Sequence, residues 1–167
     1  VKHPTIIFGD GGSGKSYFAL YWAGRLVEQG LSVLYIDWEW TKEEHRDRLE
    51  LLFGPVFPAI RHLECYRAIR DERERIQKVI RARQIQYLIF DSVALACGGD
   101  PSGSEACTTY WQMVRGFGLG SLHVAHVTKG FNGKSDDQKP FGSAFWHNMA
   151  RASYNIKGTP HGDRGIA

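Results

Sequence analysis

A glycine-rich stretch near the start of the chain, Gly9-Asp10-Gly11-Gly12-Ser13-Gly14-Lys15-Ser16, fits the phosphate-loop pattern G-x-x-x-x-G-K-[ST] at every position. Glycines let backbone N–H groups curl around an anion, because no side chain keeps the phosphates away. The N-terminus of the helix that follows adds roughly half a positive charge. The amino group of Lys15 is expected to reach the β- and γ-phosphates, and the Ser16 hydroxyl to hold Mg²⁺. We therefore predict a nucleoside triphosphate site, contacted by Gly11, Gly12, Ser13, Gly14, Lys15, Ser16 and Tyr17.

A carboxylate at the end of an apolar run is the second candidate for phosphate chemistry. Asp91 directly follows Tyr87-Leu88-Ile89-Phe90, a run that is typical of a strand buried in a parallel sheet. Ligands bind at the carboxyl ends of the strands in such sheets, and a carboxylate placed there orders the water shell of the metal. We therefore predict that Ser16 and Asp91 together bind Mg²⁺.

The residue after Asp91 bears on how a water molecule would be activated. Many ATPases carry the water-activating glutamate at that position, whereas this chain has Ser92, which cannot act as a carboxylate base. Glu39 stands beyond the apolar run Leu31–Ile36 and is expected to orient the attacking water instead. Asp37 is the rival, because strand alternation puts it on the same side as Glu39. The simpler alternative is that both acids are exposed on a turn.

The elements that would position these groups alternate between strands and helices. Apolar residues recur at helical spacing after the loop: Phe18, Ala19, Trp22, Ala23, Leu26 and Val27. Tyr21 and Trp22, which could also stack on bases, are expected to pack in the core. Thr41 and Glu44 form a capping box that predicts a second helix. Further strands are expected within 60–66, 87–90, 122–125 and 152–156, and a short helix over 144–149. This alternation predicts a parallel α/β sheet, with the ligand at the carboxyl ends of the strands.

Composition and charge set limits on the class of protein. The chain has 167 residues, of which 43% are apolar and 23% charged, and its net charge of +3 permits a nucleic-acid partner without requiring one. The three cysteines show no C-x-x-C spacing, which favours buried or free thiols in a reducing compartment. No apolar run reaches transmembrane length, so we expect a cytoplasmic protein without a membrane span. Both ends look cut, and residues 1–167 are interpreted as a single ATPase core from a longer chain.

Taken together, the motifs resemble those of the RecA-like ATPase family over nearly the whole chain. The fit is closest to the RepA-type hexameric replicative helicases and their phage and plasmid relatives. It is carried by the Gly9–Ser16 loop, by Ile36-Asp37-Trp38-Glu39, and by His126-Val127-Thr128-Lys129-Gly130. The resemblance implies a three-layer α/β/α sandwich with a mostly parallel central sheet. It also implies ATP and Mg²⁺ as ligands, and a homo-oligomer, a hexameric ring with shared ATP sites, that moves along single-stranded DNA.

The resemblance also implies roles for polar residues late in the chain. His126 occupies the place of a residue that senses the γ-phosphate and couples it to a DNA-facing loop, with a backbone-bonded histidine as the alternative. Arg151 matches the position of an arginine finger that reaches into a neighbouring subunit, with an ordinary surface arginine as the alternative. Lys129 is a second candidate for that cation.

Two loops correspond to segments that face the central channel in the rings of this family. These are Gly98–Glu105 and Gly130–Gly142, and in the second loop Lys134 and Lys139 are expected to meet the phosphate backbone of DNA. Acidic residues lie in both loops, namely Asp100, Glu105, Asp136 and Asp137. Two alternatives to the helicase therefore stay open: a recombinase or repair ATPase that forms filaments, and a nucleotide-gated assembly or signalling module that binds no nucleic acid.

Overall fold

The computed structural model describes residues 3–126 and 144–157, and strands alternate with helices through most of these residues. The six strands are β1 (Pro4–Gly9), β2 (Val33–Asp37), β3 (Arg61–Glu64), β4 (Tyr87–Asp91), β5 (Gly120–His126) and β6 (Ala152–Asn155). The six helices are α1 (Lys15–Glu28), α2 (Lys42–Phe53), α3 (Ile69–Ala82), α4 (Val93–Ala96), α5 (Ser104–Gly116) and α6 (Ala144–Met149). The strands and helices expected from the periodicity are present, whereas the one-turn helix α4 was not expected.

The six strands form one parallel sheet in the order β3-β2-β4-β5-β1-β6. Strand register places Gly9 opposite His126 and Asp37 opposite Asp91. Because parallel strands end at the same edge, four predicted functional positions converge there: the phosphate loop, the Asp37–Glu39 turn, Asp91 and His126. The sequence of elements, with crossover helices between parallel strands, accounts for this convergence.

Apolar residues pack on both faces of the sheet, which makes the fold three-layered. Ile6, Leu34 and Phe90 face the layer formed by α3 and α5, and Ile7, Tyr35 and Ile89 face the layer that contains α1 and α2. Neighbouring residues of one strand thus enter opposite cores, as the alternation of side chains along a strand requires. This arrangement confirms the expected α/β/α sandwich with a parallel central sheet.

The prediction that Tyr21 and Trp22 pack in the core was wrong. Their side chains are 48% and 41% exposed. The buried stripe of α1 consists instead of Ala19, Leu20, Ala23 and Gly24. A Cβ atom on Gly24 would lie 2.3 Å from the ring of Phe53, so the α1 face that meets α2 tolerates only a small residue. Small residues bring the helix close to its neighbours, and the aromatic rings therefore emerge on its flank.

Several smaller expectations can be compared with the structure. The capping box is present, because the Thr41 hydroxyl accepts from the Glu44 amide while the Glu44 carboxylate accepts from the Thr41 amide. Cys65, Cys97 and Cys107 are buried free thiols. Within the described ranges, no helix is both long and apolar enough to traverse a bilayer. Lys129, Lys134, Lys139 and the predicted loop Gly130–Gly142 lie outside the described residues.

Candidate active site

The loop between β1 and α1 has the backbone conformation of an anion cradle. Gly12 and Gly14 adopt φ angles of 76° and 84°, a region that side chains with a Cβ atom rarely occupy. A Cβ atom added to Gly11, Gly12 or Gly14 would meet no atom within 4 Å, so the outer surface of the loop is open. The Ser13 amide donates to the Asp10 carbonyl at 3.2 Å and closes the turn. An open turn leading into a helix N-terminus fits a triphosphate.

Lys15 lies inside this loop and is only 4% exposed. Its amino group donates to the Gly9 and Asp10 carbonyls at 3.0 Å and 2.6 Å, and it lies 3.4 Å from the Ser13 hydroxyl. Burial lowers the pKa of Lys15, while the nearby Asp91 and Glu39 carboxylates oppose that shift. To contact a phosphate oxygen, the amino group has to exchange one of these contacts, and the longest of them is the one to Ser13.

Asp91 ends β4 in a fully buried position beside the loop. One carboxylate oxygen, Oδ2, accepts a 2.6 Å hydrogen bond from the Tyr35 hydroxyl, while Oδ1 is buried without a hydrogen-bond partner. Burial raises the pKa of Asp91 to about 6, and the favourable interactions with Tyr35 and Ser16 hold it lower than burial alone would. A buried, unpartnered carboxylate oxygen beside the Ser16 hydroxyl fits the oxygen-rich surroundings that Mg²⁺ requires.

Glu39 and His126 meet across the edge of the sheet. The Nε2 atom of His126 lies 3.4 Å from Oε1 of Glu39, and both side chains are partly exposed. The hydrogen bond with His126 holds the pKa of Glu39 below its usual value, with further help from Ser92 and Lys15 and against the effect of burial. Glu39 is therefore ionised at neutral pH, and it lies near the cation of the phosphate loop.

Asp37 has a positioning role in the turn that carries Glu39. β2 ends at Asp37, so strand alternation does not extend to Glu39. The Oδ1 atom of Asp37 accepts hydrogen bonds from the Glu39 and Trp40 amides, both at 2.9 Å. The Trp38 amide donates to the Asp91 carbonyl at 2.6 Å and ties the turn to β4. The two rival acids thus have different partners, and only Glu39 faces the group formed by Lys15 and His126.

Two residues of this region were not singled out by sequence reasoning as site residues. Tyr35 binds the metal-directed carboxylate of Asp91, but it stands in an apolar run, and its hydroxyl was the only signal. Ser92, noted only as a residue that cannot act as a base, has a buried hydroxyl without a hydrogen-bond partner and favours the ionised form of Glu39. Neither role could be read from the motif, because both depend on distances between strands.

The structure places Arg151 apart from the other predicted site residues. Arg151 is exposed just before β6, and its amide donates to the Pro4 carbonyl, at the amino end of β1. Since β1 has six residues at about 3.3 Å each, this end lies roughly 16 Å from the phosphate loop. Arg151 therefore cannot act on the nucleotide of its own subunit. Lys157, beyond the opposite end of β6, stands at the same edge as the loop.

Tyr17, the last of the predicted nucleotide contacts, follows the loop on α1 and is partly exposed. The guanidinium carbon of Arg48 lies 5.4 Å from the centre of the Tyr17 ring and 3.7 Å from that of Trp40. These cation–π contacts hold the three side chains in one layer next to the loop. A flat ring in this place can pack against a nucleotide, although Tyr17 stays a prediction.

Comparison with known proteins places the chain in a family. The model of the AAA domain family matches residues 2–131, more than three quarters of the chain. No curated protein matches. A solved structure of the ATPase domain of a helicase is similar, with a TM-score of 0.75 and 13% sequence identity over 92% of this chain and 69% of that chain. At this identity the likeness concerns the fold. The chain therefore belongs to the AAA domain family and has the fold of a RecA-like P-loop ATPase domain.

Proposed function

We propose that this domain binds and hydrolyses ATP with Mg²⁺ as the motor of a DNA helicase, acting on single-stranded DNA as a homo-oligomeric ring. The observation that carries the proposal is the meeting of Lys15, Asp91, Glu39 and His126 at the carboxyl edge of the sheet. A cation, a metal-directed carboxylate, an ionised candidate base and a polar strand-end residue are the groups that phosphoryl transfer needs.

The phosphates are held first by backbone and then by charge. Amides of Gly11, Gly12 and Gly14 line the open loop, and Lys15 exchanges its Ser13 contact for a phosphate oxygen. Ser16 and Asp91 hold Mg²⁺, which neutralises charge on the β- and γ-phosphate oxygens when it is bound. The unpartnered Oδ1 atom of Asp91 gains an interaction in this state, and this gain offsets the cost of burying it.

Glu39 supplies the function that Ser92 cannot. It orients a water molecule and accepts a proton from it, while the water oxygen bonds to the γ-phosphorus and the bond to the bridging β–γ oxygen breaks. The electron pair of that bond leaves on ADP, and inorganic phosphate is the second product. With its lowered pKa, Glu39 is fully ionised at neutral pH, so its part is to position the water as much as to take up a proton.

His126 connects the base to the segment that follows β5. It contacts Glu39 through Nε2, and the next residues along the chain lead into the predicted DNA-facing loop. Loss of the γ-phosphate changes the charge that Glu39 and His126 face, and a reoriented imidazole carries that change into the loop. This is the step by which hydrolysis would drive movement along DNA.

A neighbouring subunit completes the site in this proposal. Arg151 is exposed at the far end of the sheet, so it can stabilise transition-state charge only in another subunit's site. Such a cation contributes on the order of 10³–10⁵ in rate. The hexamer and its shared sites rest on the family resemblance and on this placement of Arg151.

The proposal is tested by measuring ATP hydrolysis and strand separation together. Lys15→Ala should abolish nucleotide binding and both activities, whereas Lys42→Ala, at an exposed position on α2, should change neither. Single-stranded DNA should raise the hydrolysis rate of the wild type, and added salt should reverse the effect. Hydrolysis that ignores DNA at every salt concentration would favour the assembly or signalling module. Filaments instead of rings in electron micrographs would favour the recombinase.

The shared site has its own test, which compares two cations. Lys15→Ala and Arg151→Ala subunits are mixed, and hydrolysis is measured against the unmixed variants. A finger that acts in trans predicts partial recovery, because some sites then combine an intact loop with an intact arginine. The same mixture made with Lys157→Ala should show no recovery if Lys157 acts in its own subunit. Lack of recovery with Arg151→Ala would remove Arg151 from the mechanism, and Arg46→Ala serves as the exposed control.

A further inference from the structure

Two histidines and an aspartate from three different elements meet at the β2–β3 side of the sheet. Asp37 ends β2, His45 lies on α2, and His62 lies on β3. One ligand atom from each of these residues lies within 4.8 Å of the other two. The Nε2 atom of His62 is 3.5 Å from Oδ2 of Asp37, and the centres of the two imidazole rings are 4.1 Å apart. The phosphate chemistry proposed above uses neither histidine.

The three side chains are buried, and their nitrogen atoms are not satisfied. Asp37 and His45 are 2% and 4% exposed, and the side chain of His62 is 8% exposed. Both Nε2 atoms are buried without a hydrogen-bond partner. Burying a polar atom in this way costs on the order of 1–3 kcal/mol. Two unpartnered nitrogens that face one carboxylate oxygen therefore point to a ligand that all three atoms share.

We propose that Asp37 Oδ2, His45 Nε2 and His62 Nε2 form a binding site for a divalent transition-metal ion, with zinc as the best match. Imidazole nitrogen suits zinc and its neighbours, whereas Mg²⁺ and Ca²⁺ select oxygen. Ligand atoms around a tetrahedral zinc ion lie roughly 3.3 Å apart at bonds of about 2.0 Å, so small ring rotations close the present spacing. Three protein ligands leave a fourth position for water.

The surroundings favour the form of histidine that binds metal. Burial lowers the pKa of His45 to about 3, and the neighbouring His62 and Arg48 add to this effect. His45 therefore stays neutral over the physiological range, and a metal need not displace a proton from it. The Arg48 guanidinium is engaged over the Trp40 ring, at 3.7 Å from its centre.

A metal in this place would fix the turn that carries Glu39. Asp37 uses Oδ1 to hold the Glu39 and Trp40 amides, which leaves Oδ2 for the ion. The ion would also join β2, α2 and β3 at the outer side of the sheet, where β3 has only four residues. Metal binding should therefore stabilise the folded chain, since the unfolded chain does not hold the three ligands together.

The test measures zinc and cobalt binding to the nucleotide-free chain in excess Mg²⁺, which occupies oxygen-only sites. The wild type should bind one equivalent, and its melting temperature should rise. X-ray absorption of the bound zinc should show two imidazole nitrogens. His45→Gln and His62→Gln should each weaken binding at least about 100-fold, while His3→Gln, which removes an exposed imidazole, should not.

Three results would overturn the site. The first is a wild-type chain that binds no zinc, and the second is equal affinity in the wild type and both ligand variants. The third is a bound ion surrounded by oxygen alone. The wild-type measurements decide the matter even if a variant fails to fold. None of these readouts depends on ATP hydrolysis, so the metal site and the proposed function can fail separately.

Discussion

Buried polar groups occur in two regions of this molecule, and the two regions treat them differently. In the core beside β5, His123 uses both ring nitrogens: Nδ1 pairs with the Tyr110 hydroxyl at 2.7 Å and Nε2 with the Ser121 hydroxyl at 2.8 Å. At the carboxyl edge of the sheet, by contrast, Oδ1 of Asp91 and the Ser92 hydroxyl are buried without partners. Both regions are inside the fold, so burial alone does not distinguish them.

The difference separates groups that serve the fold from groups that serve a ligand. A satisfied network costs little, because hydrogen bonds within the protein replace those to water. An unsatisfied group lowers stability by on the order of 1–3 kcal/mol unless something binds to it. The Tyr110–His123–Ser121 network is thus structural, and the carboxyl edge stores a cost that bound Mg²⁺ and nucleotide would offset. If this is correct, substitutions in the two regions should have opposite consequences for activity and stability.

The largest effect should come from Glu39→Gln, which keeps the shape of the side chain and removes its charge. Hydrolysis should fall by about 10²–10⁴, the range that a positioned base contributes, while nucleotide affinity stays within a few-fold. Single-turnover hydrolysis and equilibrium binding measure the two quantities. Glu43→Gln, an exposed glutamate on α2, is the matched control. Full hydrolysis by Glu39→Gln would mean that another group activates the water.

Next in size is the effect of Asp91→Asn, which should raise stability and lower activity together. Burial raises the pKa of Asp91 to about 6, so ionising it at neutral pH costs on the order of 1–3 kcal/mol. The amide oxygen can still accept from the Tyr35 hydroxyl. Chemical denaturation without Mg²⁺ and nucleotide should show this gain, and Mg²⁺-dependent hydrolysis should be lost. Asp47→Asn, at an exposed site, should do neither. A destabilised Asp91→Asn chain would count against the stored cost.

Tyr110→Phe should have the reverse pattern. It leaves Nδ1 of His123 buried without its partner, which costs about 1–3 kcal/mol in the free energy of unfolding. Hydrolysis by the folded variant should stay within a few-fold of the wild type, because Tyr110 lies on α5 in the opposite layer from the phosphate-loop helix. Tyr154→Phe removes a hydroxyl from an exposed ring and provides the control. A large loss of hydrolysis at unchanged stability would break the distinction between the two regions.

The sequence predicted the groups that chemistry requires and the sheet that gathers them. Lys15, Asp91 and Glu39 could be named because a glycine loop and apolar runs that end in acids are local patterns. Their convergence followed from the rule that parallel strands end at one edge. The same reasoning placed Cys107, Tyr110 and Trp111 on one buried helix face, and all three are buried.

What the sequence did not predict depends on distances between elements. The hydroxyl of Tyr35 meets Asp91 across two strands, and His45 meets His62 only once α2 packs beside β3. The error at Trp22 has the same origin, because periodicity gives the apolar side of a helix but not how closely the helix approaches its neighbours. Pairings of this kind depend on register and on packing distance, which a single sequence does not contain.

The smallest effect concerns pH and tests whether His123 belongs to the structural class. Burial lowers the pKa of His123 to about 3, so the folded chain keeps this ring neutral while the unfolded chain protonates it near pH 6.5. As the pH falls through 6.5, the unfolded state takes up the proton first, and the stability that the neutral ring contributes is lost progressively toward pH 3. Between pH 7 and 5.5 the loss should be on the order of 1 kcal/mol.

The comparison that isolates this effect uses His123→Leu, unfolded in denaturant at several pH values. The variant is less stable, because Tyr110 and Ser121 lose their partner, but its stability should fall less steeply between pH 7 and 5.5. His45, whose pKa is also lowered by burial, titrates in both chains and cancels in the difference. Equal slopes would mean that His123 is accessible to protons in the folded state, and the network beside β5 would then not be the closed structural unit described above.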